Sequence, residues 1–234
     1  MTFPDDSVQA WATPWWVPET SKTVCRGHLL RAFLPHFDQV PFVLQATGRC
    51  QPTQHTNATY RVTALHPGAK APPKTRGLPI AALPDFPNEV RIVQRAKTRP
   101  ALVLSTGGTR LPKQSGPTWQ TAPGLLVAPY FGVAKTDDRA GWPATFVDRI
   151  RIGEYPQYIW DHLPGNGEDS ILRLDQTQPL GDHHVAYELL PYRLADPAMA
   201  IVDEWFRWLV TGILENGELN DIKGVLAGDI MANG

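Results

Sequence analysis

Arg173 and Asp175 interrupt the apolar segment Ile171-Leu172-Arg173-Leu174-Asp175-Gln176. In an extended strand, residues two apart share a face. This spacing sends the cation and the carboxylate to one side and Leu172 and Leu174 to the other. A guanidinium clamps phosphate oxygens, and a carboxylate beside it can take a proton from a nearby hydroxyl. That pair is the minimum needed to cut RNA without a metal. A second segment, Thr98-Arg99-Pro100-Ala101-Leu102-Val103-Leu104-Ser105, sets another arginine at the mouth of an apolar strand.

The elements that must hold these residues read as short strands. Period-2 and short apolar runs predict strands at 41–46, 58–65, 90–94, 100–105, 124–130, 145–152, 157–160, 169–175 and 184–190, with Gly- and Pro-rich turns between them. One helix is expected from Asp196-Pro197 to about Leu214, with Met199, Val202, Phe206, Leu209 and Ile213 at helical spacing and Trp205 widening the stripe. A second, shorter helix is possible over 218–226. The expected class is therefore mainly β (α+β). Residues 1–87, rich in Pro and Trp, read as an N-terminal extension that is either separate or part of the same domain. Residues 88–234 read as the main body, with the proline-rich stretch 67–88 at the boundary.

Composition narrows the classes. The 23 prolines argue against a helical bundle. A formal net charge of −1 removes any global pull toward nucleic acid, so an RNA site must be a local patch. The most apolar long stretch, 198–214, carries Asp203, Glu204 and Arg207 and is too polar to span a bilayer. With no apolar run behind an acidic N-terminus, no secretory signal or membrane partner is expected, and the predicted location is cytoplasmic. Cys25 and Cys50 match no metal or redox spacing and read as free thiols.

In order, Arg99 to Ser105, Val127-Ala128-Pro129, Arg173-Leu174-Asp175-Gln176 and a C-terminal amphipathic helix resemble the MazF/PemK/Kid family of toxin endoribonucleases over roughly 88–215. The resemblance implies a small SH3-like β-barrel with a C-terminal helix, usually a homodimer, restrained by an antitoxin. It implies metal-independent cleavage of single-stranded RNA to 2′,3′-cyclic phosphate and 5′-hydroxyl ends, with no cofactor. Carried over by position, Asp175 is the general base, Arg173 its phosphate-facing partner, and Arg99 the arginine of the Arg-Pro motif. Where family members often place Thr or Ser after the Val-Ala-Pro strand, this chain has Tyr130-Phe131-Gly132.

Around this site the sequence offers a basic and aromatic patch. Lys97 and Arg110 supply charge, Trp119 and Tyr130 stacking faces, and Ser105 and Gln176 close the two motif segments, completing the substrate-binding set. Tyr130 is also considered as the acid that protonates the leaving oxygen. Arg149 and Arg151 share one face of the strand expected at 145–152. Asp182-His183-His184 carries no metal motif, because adjacent residues in an extended segment face opposite ways. Trp208, off the main helix stripe, is a candidate partner surface. A different class of function also fits these residues: a catalytically silent barrel, like the gyrase-poisoning CcdB type, that binds a protein target or docks into a larger complex.

Overall fold

The computed structural model describes residues 7–49, 51, 53–54, 57, 59–65, 89–109, 112, 124–137, 140–165, 167–183 and 185–233. Among them are eleven strands and three α-helices, and the class is mainly β. No helix among the described residues is long and apolar enough to cross a membrane.

The chain forms two compact units. One comprises Met1–Phe33 with Thr98–Gly234, and the other comprises Leu34–Lys97. Residues 7–33 thus belong to the same unit as the C-terminal body. The smaller unit is a three-stranded antiparallel sheet of β3 (Phe42–Gly48) flanked by β4 (Thr59–Ala64) and β5 (Arg91–Val93).

The larger unit is built on an eight-stranded sheet that curls into a half-barrel. Its order is β1 (Trp16–Pro18), β11 (Tyr187–Leu194), β2 (His28–Pro35), β6 (Ala96–Ser105), β7 (Leu125–Gly132), β9 (Asp169–Arg173) and β8 (Tyr158–His162), with β10 (Gln178–Leu180) also on β7. Period 2 explains the two-sided burial of these strands. Leu102, Leu104, Ala128, Tyr130, Ile159 and Leu172 point into the main core, whereas Trp160 and Ile171 point into a smaller one on the other face.

α1 (Ala144–Arg151) covers the smaller core with Val147 and Ile150. This replaces the strand expected at 145–152. Phe146, Ile150 and Ile152 alternate, but Val147 and Ile150 are three apart and bury together only in a helix. Arg149 and Arg151 fall in its last turn, where cations suit the helix dipole.

α2 (Asp196–Thr211) covers the main core with Ala198, Met199, Ile201, Val202 and Trp205. It ends before the expected Leu214 because Gly212, at φ 71°, takes the left-handed cap. Ile213, expected on the stripe, is therefore exposed. α3 (Glu218–Asn233) runs well past the 226 expected for it. Its Lys223 Nζ sits 3.7 Å from the centre of the Trp208 ring, the residue singled out as a candidate partner surface.

The Pro/Trp-rich arm is fixed to the body. A 3-10 turn at Val8–Trp11 carries Gln9, β1 opens with Trp16, and Trp15 directly precedes it; all three donate to the buried carboxylate of Asp161.

Candidate functional site

β7 organises the site because one of its edges is shared by two partners. Its C-terminal half pairs with β9, Tyr130 opposite Leu172 and Phe131 opposite Ile171. Its N-terminal half pairs with β10, Val127 opposite Gln178. Between these ladders, residues 173–177 stand opposite Ala128 and Pro129 alone. Pro129 has no N–H to contribute, and here the chain lifts off into a 3-10 turn, Leu174–Gln176. The expected strand 169–175 therefore ends at Arg173.

The excursion is tightly held. Leu174 is buried, and its N–H donates to the Gln157 carbonyl at 3.0 Å. Thr177 Oγ1 donates to the Leu174 carbonyl at 2.7 Å. Arg173, Asp175 and Gln176 are thus displayed on a fixed bulge rather than a regular strand.

Arg173 and Asp175 still meet. The guanidinium donates through Nε to Oδ1 at 2.7 Å and through Nη2 to Oδ2 at 2.6 Å, a bidentate fork. Their side chains are 16% and 27% exposed, so the pair lies at the rim of the core and not free in water. The guanidinium carbon of Arg173 lies 5.4 Å from the Phe131 ring centre, 6.0 Å from Trp142 and 5.0 Å from Tyr158. Each is within cation–π range.

Arg99 reaches the same place from the neighbouring strand, 3.7 Å from the centre of the Phe131 ring. Both arginines of the expected site therefore share one aromatic ring. Behind it, Trp142 stacks on Phe146 at 5.5 Å, and Tyr155 and Tyr158 close the cluster. Such a surface can receive an anion on its guanidiniums and a flat ring beside them.

The remaining expected residues divide. Gln176 lies on the bulge with Asp175. Ser105 does not join them, since it is six residues along β6 from Arg99, roughly 20 Å at about 3.3 Å per residue, and its Oγ accepts from the Gly107 N–H. Lys97 is exposed in the smaller unit. Arg110 and Trp119 lie outside the described residues.

Tyr130, expected at the site, lies in the core instead. It is 2% exposed, its hydroxyl donates to Asp161 at 2.9 Å, and burial pushes that hydroxyl well above its ordinary titration. It offers no stacking face and no proton to a leaving group. Arg149 and Arg151 are also taken up locally. Arg149 pairs with Glu154 and lies 5.0 Å from the Tyr155 ring centre, while Arg151 lies 4.3 Å from the Trp160 ring centre.

Sequence reasoning missed Phe131, Trp142 and Tyr158 as the cradle of Arg173. The Phe131 signal was available: it is the neighbour of Tyr130 on the opposite strand face. Trp142 and Tyr158 are brought in by tertiary packing alone.

The chain matches no protein-family model, no curated protein and no solved structure.

Proposed function

We propose that the Arg99–Arg173–Asp175 face binds single-stranded RNA and cleaves it without a metal, in the manner of the MazF/PemK/Kid toxins it resembles in sequence. The observation that carries this reading is the sharing of the Phe131 ring by Arg99 and Arg173, with Asp175 held in the fork of Arg173. Residues singled out as one site from separate motifs come together in space.

In this reading the two guanidiniums take the non-bridging oxygens of a scissile phosphate and stabilise its crowded transition state. The Asp175 carboxylate takes the 2′-hydroxyl proton, the 2′-oxygen attacks the adjacent phosphorus, and the bond to the 5′-oxygen breaks. The products are a 2′,3′-cyclic phosphate and a 5′-hydroxyl, with the leaving oxygen protonated by water. The incoming phosphate must first open the Arg173–Asp175 fork, which frees both partners at the moment of binding. A small SH3-like barrel, a homodimer and an antitoxin belong to this same reading.

The test is incubation of the full chain with a long, mostly single-stranded RNA in EDTA, beside Asp175→Ala and Arg173→Ala. Cleavage by the wild type alone, with cyclic-phosphate ends, supports it. An uncut substrate from folded protein refutes it.

A second reading, a silent barrel that binds a protein target, is favoured by Val210 and Ile213. Both are largely exposed at the C-terminal end of α2, the helix through which gyrase-poisoning barrels act. Capture of a target lost with Val210→Asp, from protein that leaves RNA intact, would favour it.

A further inference from the structure

The loop between β1 and β2 gathers three side chains that the RNA site does not use. Cys25 and His28 close a turn in which the His28 N–H donates to the Cys25 carbonyl at 3.2 Å. Gly27, at φ 83°, supplies the left-handed residue the turn needs. The turn brings the Cys25 thiol and His28 Nδ1 to 3.5 Å. Glu19, just past β1, adds its carboxylate, so one potential ligand atom from each of the three lies within 4.8 Å of the others.

The 3.5 Å separation has chemical meaning. A tetrahedral zinc ion with a Zn–S bond of about 2.3 Å and a Zn–N bond of about 2.0 Å holds those two ligand atoms about 3.5 Å apart. The thiol and the imidazole already stand at that spacing. Thiolate, imidazole and carboxylate together suit a borderline transition ion and do not suit magnesium or calcium, which take oxygen alone.

We propose that Glu19, Cys25 and His28 bind one divalent cation of the zinc class, with the fourth coordination position left to water. His28 is fully buried; with Nδ1 on the metal, its Nε2–H stays without a partner among the described residues, which limits affinity. Its Nδ1 takes the Cys25 N–H at 3.1 Å and would exchange that amide for the metal. The Ser21 N–H donates to Glu19 Oε1 at 2.8 Å and fixes the carboxylate in place. Thiolate is the ligating form of cysteine, so the metal displaces the Cys25 thiol proton. Binding therefore breaks one S–H bond, forms one S–metal bond and releases one proton, with no change of oxidation state.

Arg193 also limits affinity. Its Nε lies 3.3 Å from Glu19 Oε2, and its charge opposes a cation. Asp196, 2.9 Å from Nη1, offsets part of that charge. This inference goes beyond the RNA reading and does not rest on it.

Cobalt titration of the reduced full-length protein, stripped of metal and freed of chelator, tests the site. The expected result is a thiolate-to-cobalt charge-transfer band that saturates at one equivalent and is bleached by zinc. Cys25→Ser should abolish the band, and Cys50→Ser should leave it. Glu19→Gln, at a partly exposed position that does not threaten folding, should weaken binding at least tenfold. Arg193→Gln should tighten it. Calorimetry with zinc in two buffers should show about one proton released. Absence of the band in the wild type, or its survival in Cys25→Ser, overturns the proposal.

Discussion

The hydroxyl of Tyr130 donates to the carboxylate of Asp161 at 2.9 Å, and both residues are buried. The same carboxylate accepts from Gln9 Nε2 at 2.6 Å, Trp16 Nε1 at 3.1 Å and Trp15 Nε1 at 3.3 Å. One buried acid thus ties the N-terminal arm to the half-barrel. Asp161→Ala leaves the buried Tyr130 hydroxyl and Trp15 indole N–H without their acceptor and also removes it from Gln9 and the partly buried Trp16, and should cost about 3–5 kcal/mol. The check is the urea midpoint, and a loss below about 1 kcal/mol would mean that the arm is held by packing alone.

Asp161 also predicts a pH slope of unusual sign. Burial outweighs the four hydrogen bonds and raises the carboxyl above its ordinary value of 3.8. The unfolded chain gives up this proton first, so the native state binds more protons as pH rises from about 4 through the raised native value. Stability from this group is complete in acid and lost across that window. Among its hydrogen-bond partners only Tyr130 titrates, and its hydroxyl remains protonated there. Unfolding of wild type and Asp161→Asn from about pH 4 to about pH 7 should show the wild type losing ground with rising pH. Parallel curves would refute the assignment.

Gly153 follows α1 at φ +73°, and a Cβ there would stand 2.8 Å from Cη2 of Trp205. Trp205 cannot retreat, because it is fully buried and its indole N–H donates to the Tyr155 carbonyl at 3.1 Å. Gly153→Ala should lose about 1–2 kcal/mol to the left-handed backbone and a further 1–3 kcal/mol or so to overpacking. Thermal unfolding measures the sum. A change within about 0.5 kcal/mol would show that α1 and α2 can part at little cost.

Much of the sheet was legible because alternation survives burial. β6, β7, β8 and β11 overlap the runs marked for them in the sequence. β2 escaped although Leu30, Ala32 and Leu34 alternate inward, because Phe33, 71% exposed, masks the outward set. α1 was misread because Phe146, Ile150 and Ile152 satisfy period 2 while Val147 and Ile150 satisfy the helical one. The pairing of Arg173 with Asp175 was foreseen, but its cause was not. The break in β9 opposite Pro129, and not strand alternation, sets the two side by side. The metal-ligand cluster was invisible to spacing, since Glu19 joins Cys25 and His28 only when the chain turns between β1 and β2.

Asp175→Asn separates catalysis from binding. The fork on Arg173 loses its charge-assisted partner, and the guanidinium becomes available to phosphate. RNA binding in EDTA should hold or tighten, while cleavage should fall by about 10²–10⁴-fold with loss of the base. Binding that collapses with cleavage would assign the pair to structure. Cleavage that persists would remove Asp175 from the chemistry.

Salt dependence distinguishes charge from the ring that carries it. Arg99 and Arg173 each face one phosphate in this reading, so each →Gln substitution should lower the slope of log affinity against log salt by about 0.7 for single-stranded RNA. Phe131→Ala leaves both charges in place but removes the ring that lies 3.7 Å from Arg99 and 5.4 Å from Arg173. It should weaken binding by about 0.5–2 kcal/mol with the slope unchanged. The measurement is fluorescence anisotropy of a labelled single-stranded RNA over a salt series, with the chain kept in EDTA. A slope that falls with Phe131→Ala would mean that the ring orients the guanidiniums toward phosphate. A slope indifferent to both arginines would remove RNA from this face.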